Sequence, residues 1–73
     1  MFSVSLNDEH TEARVVITKY GVILDEFKIY RHDNLYWAVV LPESENDPVP
    51  YYKTLDETLN AMKTESKDFY GIN

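Results

Sequence analysis

His10 and His32 are the residues from which acid–base or metal chemistry would have to start. His10 stands among Asp8, Glu9 and Glu12. On a helix Asp8 and Glu12 are four apart and share a face, while His10, two from each, points elsewhere. That spacing makes no metal site. His32 lies beside Asp33 in a stretch rich in turn formers, where an imidazole is solvated rather than held against a substrate as a general base must be. Ser3, Ser5, Ser44 and Ser66 have no base at a recognisable spacing. With only Gly21 and Gly71, no glycine-rich phosphate loop can form. Glu43, Glu45 and Asp47 alternate as calcium ligands do, but the turn-making glycine and the distal bidentate glutamate are missing. There is no cysteine, hence no disulfide, thiolate metal site or thiol nucleophile. These residues predict a protein that is not an enzyme and uses no metal or cofactor.

Charge narrows the partners. The net charge is −6. After Pro42 the acids Glu43, Glu45, Asp47, Asp56, Glu57, Glu65 and Asp68 outnumber Lys53, Lys63 and Lys67. Most of this surface would repel a phosphate backbone, so direct nucleic-acid binding and docking on anionic lipid are disfavoured, whereas a basic protein partner is compatible. Acidity also keeps a small protein soluble, which is reason enough for it without a partner. The longest apolar run, Leu35 to Leu41, is far short of the ~20 residues that span a bilayer. No basic and apolar N-terminal stretch reads as a signal peptide. Small secreted domains lean on disulfides, so the expectation is a reducing, cytoplasmic setting.

The aromatic content, one Trp, six Tyr and three Phe in 73 residues, is the most informative feature. Residues 22–30 and 35–41 are rich in β-branched and aromatic types and flank Arg31, His32, Asp33 and Asn34, which predicts a β-hairpin. Any even-length loop gives the same facing. One face carries Ile23, Phe27, Ile29, Tyr36, Ala38 and Val40. The other carries Val22, Leu24, Lys28, Tyr30, Leu35, Trp37, Val39 and Leu41. Tyr30 and Trp37 are expected to be cross-strand neighbours. Two readings of the second face compete: it is core beneath another element, or a contact surface made by Tyr30, Trp37, Val39 and Leu41, since aromatics are enriched at interface hot spots. In the second reading a homodimer is the simplest cover for it. Stacking of single-stranded bases would need a basic groove.

The hairpin must be held by the rest of the chain. Thr54 and Glu57 form a capping box, Asp56 and Glu57 suit the positive end of a helix dipole, and Leu55, Leu59, Met62 and Phe69 fall on one stripe that Ser66 interrupts. A helix over 55–69 ending at Gly71 is predicted. For 8–20 helix and strand compete. Ala13, Val16, Ile17 and Tyr20 have helical spacing, with Asn7 as cap and Gly21 as stop, while the run Val15-Val16-Ile17-Thr18 favours strand. Helix is the favoured reading. Phe2, Val4 and Leu6 alternate with Ser3 and Ser5 as a short strand. Residues 42–50, with three prolines, form a loop, after which Tyr51 and Tyr52 begin a short third strand. The chain reads as one α+β domain, 1–73, with a helix packed on a small antiparallel sheet.

Leu35-Tyr36-Trp37-Ala38-Val39-Val40-Leu41-Pro42, then a loop, then Tyr52-Lys53-Thr54-Leu55-Asp56-Glu57-Thr58-Leu59 resembles the strand-loop-helix stretch of HicB-type antitoxins. The glycine-containing turn usual in that loop is absent, and no DNA-binding domain is expected after the helix. The resemblance covers about half the chain and implies an antitoxin or inhibitor. With composition, it leads to an expected function: a small acidic interaction module that binds, and inhibits, a partner protein. The alternative is an inhibitor of a nucleic-acid enzyme in which Glu43, Glu45, Asp47, Asp56 and Glu57 form one patch imitating phosphate.

Overall fold

A computed structural model describes residues 1–71. It is a five-stranded antiparallel meander with sheet order β1-β2-β3-β4-β5 and one helix. The strands are β1 Phe2–Leu6, β2 Glu12–Lys19, β3 Val22–His32, β4 Leu35–Val40 and β5 Val49–Pro50, with a 3-10 turn at Glu43–Glu45 and helix α1 at Leu55–Tyr70. The α+β class, the first strand, the hairpin and the C-terminal helix are as expected from sequence. The helix over 8–20 is not: those residues form a turn and β2.

The reason lies in which period the core selects. Ala13, Val15 and Ile17 are all buried, so the two-residue repeat takes the inner face. Val16, the helix-period residue, stays half-buried on the other side. The residues read as caps do related work in turns. The Asn7 Oδ1 accepts hydrogen bonds from the backbone N–H of Thr11 at 2.9 Å and of Glu12 at 3.0 Å, which closes the β1–β2 loop. Gly21 follows Tyr20, and both have positive φ, 77° and 53°. Two consecutive left-handed residues give the twist of a tight hairpin turn, so Gly21 reverses the chain instead of ending a helix. Asp33 and Asn34, at φ 52° and 62°, do the same between β3 and β4.

The core lies between the sheet and α1. Ala13, Val15, Ile29, Tyr36 and Ala38 of the sheet meet Leu55 and Met62 of the helix. Thr54 Oγ1 accepts the Glu57 N–H at 3.2 Å and caps α1, and Gly71 at φ 65° ends it with its N–H donating to Lys67 O at 3.0 Å. The buried stripe of α1 is Leu55, Thr58, Met62 and Ser66. Thr58 is satisfied by donating its Oγ1–H to Thr54 O at 2.9 Å. Phe69, expected on this stripe, is 81% exposed. A 16-residue helix is about 24 Å long at about 1.5 Å per residue, and its last turns stand over a cleft instead of the core.

A bulge between Ile17 and Thr18 shifts the β2–β3 register, so that Ile17 pairs with Asp25 but Thr18 with Ile23. The extra residue breaks the alternation along β3. Ile23, grouped from sequence on one face with Phe27 and Ile29, is 62% exposed.

Candidate functional site

The helix covers one face of the sheet. The opposite face is set by register. In β3 and β4 Tyr30 pairs with Trp37 and Lys28 with Val39, and in β5 Pro50 pairs with Trp37. Paired residues of an antiparallel sheet share a face, so Tyr30, Trp37 and Pro50 form a row across three strands. Tyr30 and Trp37 are half-buried and Pro50 is exposed. The Trp37 Nε1–H donates to His32 O at 3.0 Å, which fixes the indole along the end of β3. Lys28 Nζ lies 5.5 Å from the Tyr30 ring centroid, within reach of a cation–π contact, and 3.5 Å from Glu43 Oε2. That ion pair ties the 43–45 turn to this face. Val39, opposite Lys28, is only 1% exposed. Further along, Arg14 Nε and Glu26 Oε1 pair at 3.1 Å.

Of the residues predicted as a contact surface, Tyr30 and Trp37 therefore stand side by side, and Leu41 follows β4 with its N–H donating to Glu26 O at 2.8 Å. Val39 lies beneath the surface and offers nothing to a partner. Pro50 joins the row without a sequence signal, because its place depends on the path of the 41–48 loop. The acids sit on two elements. Glu43 and Glu45 belong to the 3-10 turn, with Asp47 exposed just after it, while Asp56 and Glu57 occupy the first turn of α1. Glu43 is partly neutralised by Lys28.

His10 lies in the β1–β2 turn with φ 57°, whereas His32, expected in the hairpin turn, is the last residue of β3 and pairs with Leu35. His32 Nε2 is 3.3 Å from Asp33 Oδ2, and both side chains are well exposed. Among the described residues no group of three or more His, Asp or Glu is placed to hold a metal ion, and no helix is long and apolar enough to cross a membrane.

Two further features were not read from sequence. A cleft of about 540 Å³ opens between the C-terminal half of α1 and the sheet, lined by Phe27, Tyr51, Met62, Ser66, Phe69 and Tyr70. At its margin the Tyr51 hydroxyl donates to Glu65 Oε2 at 2.8 Å. Burial, and then this bond to a carboxylate, push the Tyr51 phenol up to about 12, so it is a stable donor with no acid–base role near neutrality. The tip of the β2–β3 hairpin is apolar and bare: Tyr20 is 94% exposed, and Val22, Ile23 and Leu24 are also open. Comparison of the chain with protein-family models, with curated proteins and with solved structures finds no match.

Proposed function

We propose that this chain is a non-enzymatic interaction module that binds a partner protein through the Tyr30–Trp37–Pro50 row and inhibits that partner by covering it. The observation that supports the reading is the one-sided cover of the sheet: α1 packs on one face, and an aromatic pair of adjacent strands remains accessible on the other. Tyrosine and tryptophan carry large apolar area with few rotors to freeze, which is why they dominate binding hot spots. Exposed carboxylates at Glu45, Asp47, Asp56 and Glu57 favour a partner with basic residues around its apolar contact.

The test is a capture experiment from the native host with wild type and Trp37→Ala side by side, each checked by thermal melt. The expected outcome is a partner retained by wild type and lost by a folded Trp37→Ala chain. A partner held equally by both chains refutes the role of this face.

A further inference from the structure

The two edges of the sheet are built differently. β5 is two residues long and is bounded by Pro48 and Pro50, so it cannot accept another strand. β1 has five residues, Phe-Ser-Val-Ser-Leu, with no charge, no proline and an unbroken register against β2. Such an edge lacks every device that natural sheets use to stay unpaired.

The direction of its backbone groups follows from the ladder. The backbones of Met1 and Thr18 are hydrogen-bonded in both directions, and the Asn7 N–H donates to Glu12 O at 3.1 Å. Antiparallel ladders alternate between hydrogen-bonded and non-hydrogen-bonded pairs. Residues 1, 3, 5 and 7 therefore point their N–H and C=O at β2, and Phe2, Val4 and Leu6 point theirs away from the sheet. Ser3, Val4, Ser5 and Leu6 are all exposed, so nothing in the described chain covers this edge.

We propose that β1 is a self-association edge, on which a second copy of this chain docks its own β1 antiparallel about a two-fold axis at Val4. This register sets Val4 opposite Val4 and Phe2 opposite Leu6. Because residues 2, 4 and 6 all point outward, it is the alignment in which every one of their free N–H and C=O groups is satisfied at once. A shift by one residue mates outward groups with inward ones, and a shift by two leaves one end unpaired. Side chains agree with backbone: Phe2, Val4 and Leu6 meet their counterparts on the helix side, and Ser3 meets Ser5 on the other. An isologous contact repeats each chain's charges across the axis, so for a chain of net charge −6 a strip that carries none is the least repelled place to pair with itself. β1 is such a strip, with Asp8 and Glu9 beyond its end. A strand of about 17 Å, at about 3.4 Å per residue, makes a contact smaller than standard stable interfaces, so the dimer is weak and concentration-dependent. It leaves the Trp37 row free.

Sedimentation equilibrium from low micromolar to near-millimolar chain tests the proposal. Wild type is expected to pass from monomer to dimer. Val4→Lys, which opposes two ammonium groups on the axis, is expected to weaken dimerisation by about tenfold or more. Should Val4→Lys melt poorly, cysteines decide the matter, since the chain has none of its own. Ser3→Cys mixed with Ser5→Cys is expected to cross-link under mild oxidation, and neither variant alone to do so appreciably, because only unlike positions are opposed. A strict monomer over the whole range overturns the proposal, as does a mixture that gives no cross-link. So does a dimer that Val4→Lys leaves intact and Trp37→Ala dissolves, which would place self-association on the aromatic face.

Discussion

The two faces of the sheet solve opposite problems. The face under α1 is filled by Val15, Ile17 and Ile29, each with no exposed surface, and by Tyr36 and Ala38. These are mostly short aliphatic side chains packed against a helix, and their removal leaves a hole that neighbours cannot close. The open face has no helix over it, and only the 43–45 turn reaches it, through the Lys28–Glu43 pair. Its strands are shielded by long amphipathic side chains: Lys28 reaches over Tyr30, Arg14 reaches to Glu26, and Trp37 is half-buried with its N–H satisfied by His32 O. Such side chains cover apolar surface while keeping their polar ends wet. A face built this way is stable alone and can also be covered, since the tryptophan's one polar atom is already paired and burying it strands no donor. The difference separates what the fold requires from what it leaves available.

Matched truncations sharpen that contrast. Ile29→Ala removes the centre of the closed face and is expected to cost about 2–5 kcal/mol. A domain of this size has about 5 kcal/mol in total, so chemical denaturation should show the variant largely unfolded. Trp37→Ala on the open face is expected to cost folding only about 1–2 kcal/mol, because the indole is half-buried and its loss opens onto solvent instead of a cavity. The same change should weaken partner binding by about 2 kcal/mol or more. If Trp37→Ala unfolds the chain as Ile29→Ala does, the faces are not different in kind and the contact reading fails.

The sequence disclosed the open face better than the N-terminal third. The Tyr30–Trp37 pairing was legible because the Asp33-Asn34 turn is short and of even length, so local alternation carries across it. The first strand and the capped helix were legible for the same local reason. Between residues 7 and 21 local signals are degenerate. Asn7 can cap a helix or close a loop, Gly21 can stop a helix or turn a hairpin, and Ala13 and Ile17 belong to both the helical and the strand period. Only the non-local pairing of β2 with β1 and β3 chooses between them, and it rewards the β-branched run at 15–18. The bulge that turns Ile23 outward, the place of Pro50 beside Trp37 and the cleft under Phe69 all depend on partners distant in sequence.

The helix that closes the inner face depends on its start. Thr54→Ala removes the acceptor of the Glu57 N–H and is expected to cost about 1 kcal/mol, visible as a melting temperature lowered by several degrees. Because α1 packs on the face opposite the Trp37 row, partner affinity measured well below the melt should stay within about twofold of wild type. A loss of binding at a temperature where the variant is folded would mean that the partner reads the helix, and with it Asp56 and Glu57, instead of the aromatic row.

The smallest effect tests how firmly α1 is tied to the β5 side of the sheet. Tyr51 follows β5, and its phenol is held protonated up to about pH 12 by burial and by the bond to Glu65 on the helix, against 10 in an unfolded chain. The folded state thus binds this proton more tightly than the unfolded state. The stabilisation is fully present below pH 10 and is lost as pH rises from 10 to about 12. The pair is partly exposed and screened, so its contribution is below about 1 kcal/mol. Tyr51→Phe removes the titration. Urea melts of both chains below pH 10 and near pH 12 should show wild type losing more stability than Tyr51→Phe across that interval, with the other tyrosines and lysines common to both. Equal losses would mean that the hydroxyl does not bridge helix and sheet in solution, and that the closed face is held by its aliphatic packing alone.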